Sequence, residues 1–135
     1  MKISKGMRTG ELVFVKVEPD EDLLKSLEEV LKSKGIENAI VATAIGSLKK
    51  AVLVNPRTLT KPPEIGKIEV EGPFEIVSLM GAIGTNHAHG GKMGHLHICL
   101  SRHEGPVVGG SLDYGSLAFY PVEVTFITYE GSYDI

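Results

Sequence analysis

The sequence predicts a sheet-dominated α+β fold, and three observations carry that reading. Only one stretch, residues 20–34, repeats its apolar side chains at helical spacing. From Asn38 onward the apolar residues come in short runs cut by glycine, as strands and tight turns require. The chain has 135 residues, a length that supports one domain rather than two. We therefore expect a single domain over residues 1–135, with residues 1–10 as a flexible basic arm.

Residues 11–18 (ELVFVKVE) are rich in β-branched residues and read as the first strand. Pro19 and Asp20 punctuate it. Asp20 is the expected N-cap of the helix, with Glu21 and Asp22 suited to the positive end of its dipole. Leu23, Leu24, Leu27, Val30 and Leu31 form the apolar stripe, and Lys32, Lys34 and Gly35 mark the stop. Residues 39–45 and 51–55 read as strands joined around Gly46-Ser47, although a short apolar run such as 39–45 also suits a buried helix. Residues 56–67, with three prolines, read as an irregular loop. Further strands are expected at 74–83, 96–100, 107–108 and 122–129.

Composition narrows the function classes. Hydrophobic residues make up 42% and charged residues 23%, so wholesale disorder is excluded. No apolar run is long enough to span a bilayer. The first ten residues, MKISKGMRTG, have no apolar core of a secretory signal. A lone cysteine, Cys99, has no intrachain partner for a disulfide, which fits a reducing compartment. The expectation is a cytoplasmic protein with no membrane partner. Net charge is −3, and after Lys92 one basic residue, Arg102, faces Glu104, Asp113, Glu123, Glu130 and Asp134. Phosphate neutralisation needs clustered cations. Lys2, Lys5 and Arg8 in the arm are the only acid-free basic patch.

All five histidines fall between positions 87 and 103. His87 and His89 lie in a glycine-rich stretch, residues 84–94, where backbone can approach a ligand closely. His95, His97 and Cys99 alternate with Leu96, Ile98 and Leu100, so a strand there puts both imidazoles on one face. Alternate residues lie roughly 6.6 Å apart along a strand, close enough for two imidazoles to converge on one metal. A catalytic zinc generally takes three protein ligands. The cluster reads either as a metal site or as imidazoles hydrogen-bonded at a polar rim or subunit contact. His103, beside Glu104-Gly105, reads as an exposed turn residue. Gly91-Lys92 fails as a phosphate loop, because Asn86 stands where the first glycine belongs and Met93 where a hydroxyl is needed.

Taken in order, the motifs resemble those of the plant- and prokaryote-conserved (PPC) domain. The resemblance rests on His95-Leu96-His97-Ile98-Cys99-Leu100-Ser101, then Gly105-Pro106-Val107-Val108-Gly109-Gly110, then Val122-Glu123-Val124. Upstream, Ile45-Gly46-Ser47-Leu48 and Glu71-Gly72-Pro73-Phe74-Glu75-Ile76 agree with it. It implies a mainly antiparallel sheet with flanking helices, usually in a homotrimer, and a stand-alone prokaryotic type often called DNA-binding. Plant members carry AT-hooks; this sequence has no Arg-Gly-Arg-Pro hook.

One departure stands out. The family's Gly-Gly-His turn, whose histidine would complete a metal triad with the pair matching His95 and His97, reads Gly109-Gly110-Ser111 here. A serine hydroxyl is a poor zinc ligand. Either the metal has been lost, or His87 or His89 supplies the third nitrogen. Glu123 matches the family's strand glutamate; behind the ligands, alongside Ser111, it would orient an imidazole, or it is simply an exposed sheet residue. No catalytic residue is assigned. Two functions follow: a trimeric binding or regulatory module with weak DNA affinity, ranked first and not an enzyme, and a zinc-dependent small-molecule or hydrolytic site at His95 and His97.

The charge balance generates an expectation of its own. A duplex titration at physiological salt should show no submicromolar binding. Tight binding with a steep salt slope would overturn this, and its loss on neutralising Lys2, Lys5 and Arg8 would assign it to the arm.

Overall fold

The computed structural model describes residues 1–132. Its strands are β1 (Thr9–Val17), β2 (Asn38–Ile45), β3 (Ser47–Pro56), β4 (Ile65–Gly84), β5 (Gly94–Ser101), β6 (Val108–Leu112), β7 (Leu117–Ala118) and β8 (Val122–Tyr129). One α-helix, α1 (Leu23–Ser33), follows β1, and a 3-10 turn spans Thr85–His87. Among the described residues this is the only α-helix, so one helix flanks the sheet where the resemblance implied several.

All the strand pairings are antiparallel. The order is β1-β8-β2-β4-β5-β6-β3-β7, and β3 also pairs with β4. Strands β3, β4, β5 and β6 therefore close into a ring, while β2, β8 and β1 extend from the far half of β4. The long strand makes this possible. Along one edge β4 pairs with β3 from Ile65 to Glu75 and with β2 from Ala82 to Gly84. Along the other it pairs with β5 from Glu75 to Ile83. The corner between β2 and β3 is Gly46, whose carbonyl accepts the Ile76 N–H at 2.9 Å.

Residues 39–45 are thus a strand, and the periodicity at 56–67 and 74–83 hid one continuous strand of 20 residues. Charged residues between Ile65 and Glu75 broke its apolar pattern. Pairing with β3 across nine positions overrides that weak local signal. The strand expected at 107–108 runs on to Leu112, through glycines that carry little propensity of their own.

Helix α1 lies over the inner sheet face. Leu23, Leu24, Leu27 and Leu31 are buried with Val17, Leu96, Leu100, Val122, Val124 and Phe126 in one core. Burying each such leucine contributes roughly 1.5–3 kcal/mol. The N-cap is Asp22, not Asp20. The Asp22 carboxylate accepts the Lys25 N–H at 3.0 Å and the Gly115 N–H at 2.6 Å. Asp20 instead sits in the turn before it with φ of 71°. The second bond explains the choice: only Asp22 both caps the helix and ties it to the turn between β6 and β7. Ser116, fully buried, reinforces that turn by accepting the Val52 N–H at 2.9 Å and donating to the Asp113 carbonyl at 3.0 Å.

Gly81 shows how tightly β4 and β5 meet. Its φ is +127°, and a Cβ there would run into the carbonyl oxygen of His95. Gly81→Ala combines that clash with backbone strain and should cost roughly 2–3 kcal/mol. Urea denaturation read by circular dichroism checks this; an unchanged midpoint would show that β4 and β5 can part without loss.

Candidate histidine and lysine site

Strand β5 alternates as its sequence implies. Leu96, Ile98 and Leu100 are buried, and His95 and His97 are exposed on the outer face. Cross-strand partners in an antiparallel pair share a face. Leu12, Ile127, Ile40, Ala82 and His95 are therefore one row across β1, β8, β2, β4 and β5. Met80, His97 and Ser111 form a second row. The imidazole pair lies on the same face as the exposed apolar side chains Leu12, Phe14, Ile45 and Met80.

The loop before β5 is a tight hairpin. His89 and Lys92 exchange two backbone hydrogen bonds, at 2.9 and 3.0 Å, across Gly90 and Gly91. Both glycines have positive φ, 56° and 81°, as a two-residue turn of primed type demands. That turn sets His89 and Lys92 side by side above β5. The His89 ring stacks on His95, with centroids 5.6 Å apart and planes 14° from parallel. The Nε2 atoms of His95 and His97 approach to 3.2 Å. His87 takes a different place, in the 3-10 turn, where its Nε2 hydrogen-bonds the Tyr129 hydroxyl and its ring meets Tyr129 edge-on. Partial burial lowers the pKa of His95, and the neighbouring His97, His89 and Lys92 lower it further. Burial also lowers that of His87.

These side chains border a pocket of about 580 Å³, whose lining adds Lys67, Asn55, Ser111 and Asp113 to His89, Lys92, His95 and His97. Asp113 was not singled out by sequence reasoning. Its side chain is only 10% exposed, and it receives Lys92 Nζ at 2.8 Å and Lys67 Nζ at 3.0 Å. Burial alone would raise its pKa. The two ammonium groups and the Tyr114 N–H outweigh burial and hold it down at about 2. Nearby, the Tyr114 hydroxyl donates to Glu28 at 2.7 Å. Burial and that bond push the phenol well above its ordinary range. An aspartate just beyond a short glycine-containing strand has no local pattern to mark it; its partners come from β4 and the hairpin.

The structure thus brings His89, His95, His97 and Ser111 together. Glu123 is elsewhere. It lies on β8 opposite Lys16 and Ile45, with β2 and β4 between it and β5. It borders a separate surface hollow with Phe14 and Thr43. His103 is exposed, as its turn context implies, and Cys99 is a free thiol of intermediate burial. Among the described residues, no group of three His, Cys, Asp or Glu side chains is disposed to hold a metal ion as the rings now stand. None of the described helices is long and apolar enough to cross a membrane.

A profile of the Plants and Prokaryotes Conserved (PCC) domain matches residues 4–130. The chain belongs to that family. It is the same plant- and prokaryote-conserved domain that the motif order resembles. The metal-containing protein AF0104 from Archaeoglobus fulgidus is 30% identical, with a TM-score of 0.79 over 98% of this chain and 88% of that one. A plant- and prokaryote-conserved protein from Pyrococcus horikoshii is 26% identical, with a TM-score of 0.78 over 96% of this chain and 86% of that one. AT-hook motif nuclear-localized protein 14 of Arabidopsis thaliana is 29% identical over 87% of this chain. This PCC chain spans about a quarter to a third of the length of the curated plant relatives it matches.

The Asp113 pKa has a definite consequence for stability. A carboxylate held at about 2, below its unfolded value of 3.8, stabilises the fold above pH 4 and loses that contribution as pH falls toward 2. After allowance for solvent around the exposed Lys67, the contribution is roughly 1 kcal/mol. Urea midpoints of Asp113→Asn should therefore be lower than those of the parent at pH 6 and converge with them near pH 2. Parallel pH profiles for the two proteins would show that the ion pairs stabilise nothing.

Proposed function

We propose that this PCC domain is a non-enzymatic, homotrimeric binding module that holds a zinc ion on His95 and His97, with His89 as third donor. One observation carries the reading. Two nitrogens bound to a tetrahedral zinc at 2.0–2.1 Å lie about 3.3 Å apart, and the Nε2 atoms of His95 and His97 are 3.2 Å apart. The lowered pKa of His95 keeps that ring neutral near pH 7, the form a metal requires. The 30% identical Archaeoglobus relative is a metal-containing protein, which supports the same reading. His89 stands on a glycine hairpin, and rotation of its exposed side chain brings a ring nitrogen toward the pair. Held by these imidazoles, zinc would offer a Lewis-acid contact to a ligand in the pocket they line.

Self-association has its own support. Leu12, Phe14, Ile45 and Met80 are 60%, 76%, 67% and 67% exposed on one sheet face, an apolar surface that suits a subunit contact. The AT-hook relatives favour a second reading as a DNA-associated module, with Lys2, Lys5 and Arg8 as the contact. The net charge of −3 keeps such affinity weak.

Untagged protein should carry up to one zinc per chain and scatter light as about three times 14.5 kDa. His97→Ala should abolish bound metal, and His89→Ala should weaken it at least tenfold. Ser111→His should strengthen binding, because it places a nitrogen opposite His97, and should make His89 dispensable. His87→Ala should leave zinc affinity within about twofold. If the parent holds no metal and Ser111→His takes none up from excess zinc, the imidazoles are packing groups and the zinc reading falls. A concentration-independent monomer would remove the trimer.

A further inference from the structure

The pocket beside the imidazole pair has a charge pattern that zinc binding does not use. Lys67 and Lys92 both face Asp113, so two ammonium groups meet one carboxylate. The lining also has an apolar part, Val54, Pro56, Pro63 and Ile65, with Ile65 58% exposed. An exposed isoleucine and two prolines beside paired lysines are poorly explained by stability alone. We propose that this pocket binds a small aliphatic carboxylate, its charge met by Lys67 and Lys92 and its alkyl part by that apolar wall.

The charge balance selects the ligand class. In the zinc-free protein, one anionic group neutralises the single excess cation of Lys67, Lys92 and Asp113, whereas a phosphate dianion would leave a negative charge against the Asp113 carboxylate. Lys67 has room to take it. Its side chain is 63% exposed, and its ion pair to Asp113 engages one of three N–H donors. Lys92 is less free, since it also lies over the Tyr114 ring at 5.6 Å and near the Leu112 carbonyl at 3.5 Å. Asp113 then has two effects. It holds both ammonium groups at the pocket in the absence of ligand, and it competes with the ligand for them. The hairpin residues His89, Gly90 and Lys92 and the β6 residue Ser111 also line the pocket, so its lining comes from four strands and the segments that connect them.

This proposal goes beyond the zinc reading and does not depend on it. The test is an NMR titration of EDTA-treated protein with butyrate, its neutral isostere butyramide, and inorganic phosphate, with zinc uptake measured separately. Butyrate should bind saturably in the millimolar range, shifting the amide signals of Lys67, Lys92 and Ser111. Butyramide should bind at least tenfold more weakly, and phosphate more weakly than butyrate. Lys67→Gln, which removes one of the two Asp113 ion pairs and leaves Lys92 in place, should keep the fold at a small cost in stability and weaken butyrate at least threefold. Asp113→Asn should tighten it severalfold by releasing both lysines.

Equal binding of butyramide would reduce the pocket to an apolar wall and overturn the proposal. So would tighter binding of phosphate, or butyrate affinity unaffected by Lys67→Gln. An Asp113→Asn variant that folds but binds butyrate no better would show that the ion pairs are structural only. The two readings fail separately: zinc uptake without butyrate binding sinks this one alone, and butyrate binding to protein that takes up no zinc sinks the other alone.

Discussion

One strand sets the terms for the rest of this molecule. Residues Ile65–Gly84 present two hydrogen-bonding edges over 20 residues, and β2, β3 and β5 are all registered against them. Each backbone amide along β4 needs a partner, so the placing of its neighbours leaves little freedom. The ring of β3, β4, β5 and β6 closes through it, and the β2-β8-β1 extension hangs from its far end. The helix can cover the inner face only because that face is already continuous. Asp22 and Ser116 then fasten the helix to the turn that follows β6. Gly81, pressed against the carbonyl of His95, makes the dependence local: the same contact that joins β4 to β5 positions the first imidazole.

The histidines and the lysines belong to one surface but arise from different constraints. His95 and His97 share a face because strand geometry alternates, whatever their neighbours are. His89 and Lys92 are side by side because two consecutive glycines accept positive φ in a two-residue turn. Lys67 arrives from the start of β4 and Asp113 from just beyond β6. Serine at 111 changes the chemistry of this PCC domain at the point where the family pattern has an imidazole. The hairpin stacks the His89 ring on His95, and Ser111 places a hydroxyl across from His97.

Some elements are legible from local pattern and others are not. The leucine stripe of α1 identifies the helix and its buried face without any knowledge of the sheet. Its cap was misplaced by two residues, because Asp20 and Asp22 are equivalent acidic candidates until Gly115 offers an N–H to one of them. The first half of β4 was invisible because Lys67, Glu69 and Glu71 face solvent while their backbone pairs with β3. The Gly109-Gly110 turn read as a bend, yet it continues as strand because β5 supplies a complete ladder beside it.

The sequence by itself determined the single amphipathic helix, the alternation that exposes His95 and His97, the shortage of cations after Lys92, and the motif order that marks the PCC family. Those features depend on periodicity, composition and spacing, which act over a few residues. Tertiary structure alone decided that His89 stacks on His95 while His87 engages Tyr129. It also placed Lys67 and Lys92 on one buried aspartate, and it left Glu123 on β8, with β2 and β4 between it and the imidazoles. Such outcomes depend on register between strands distant in the chain, and a register is set by the whole ladder and core together rather than by any residue's own preference.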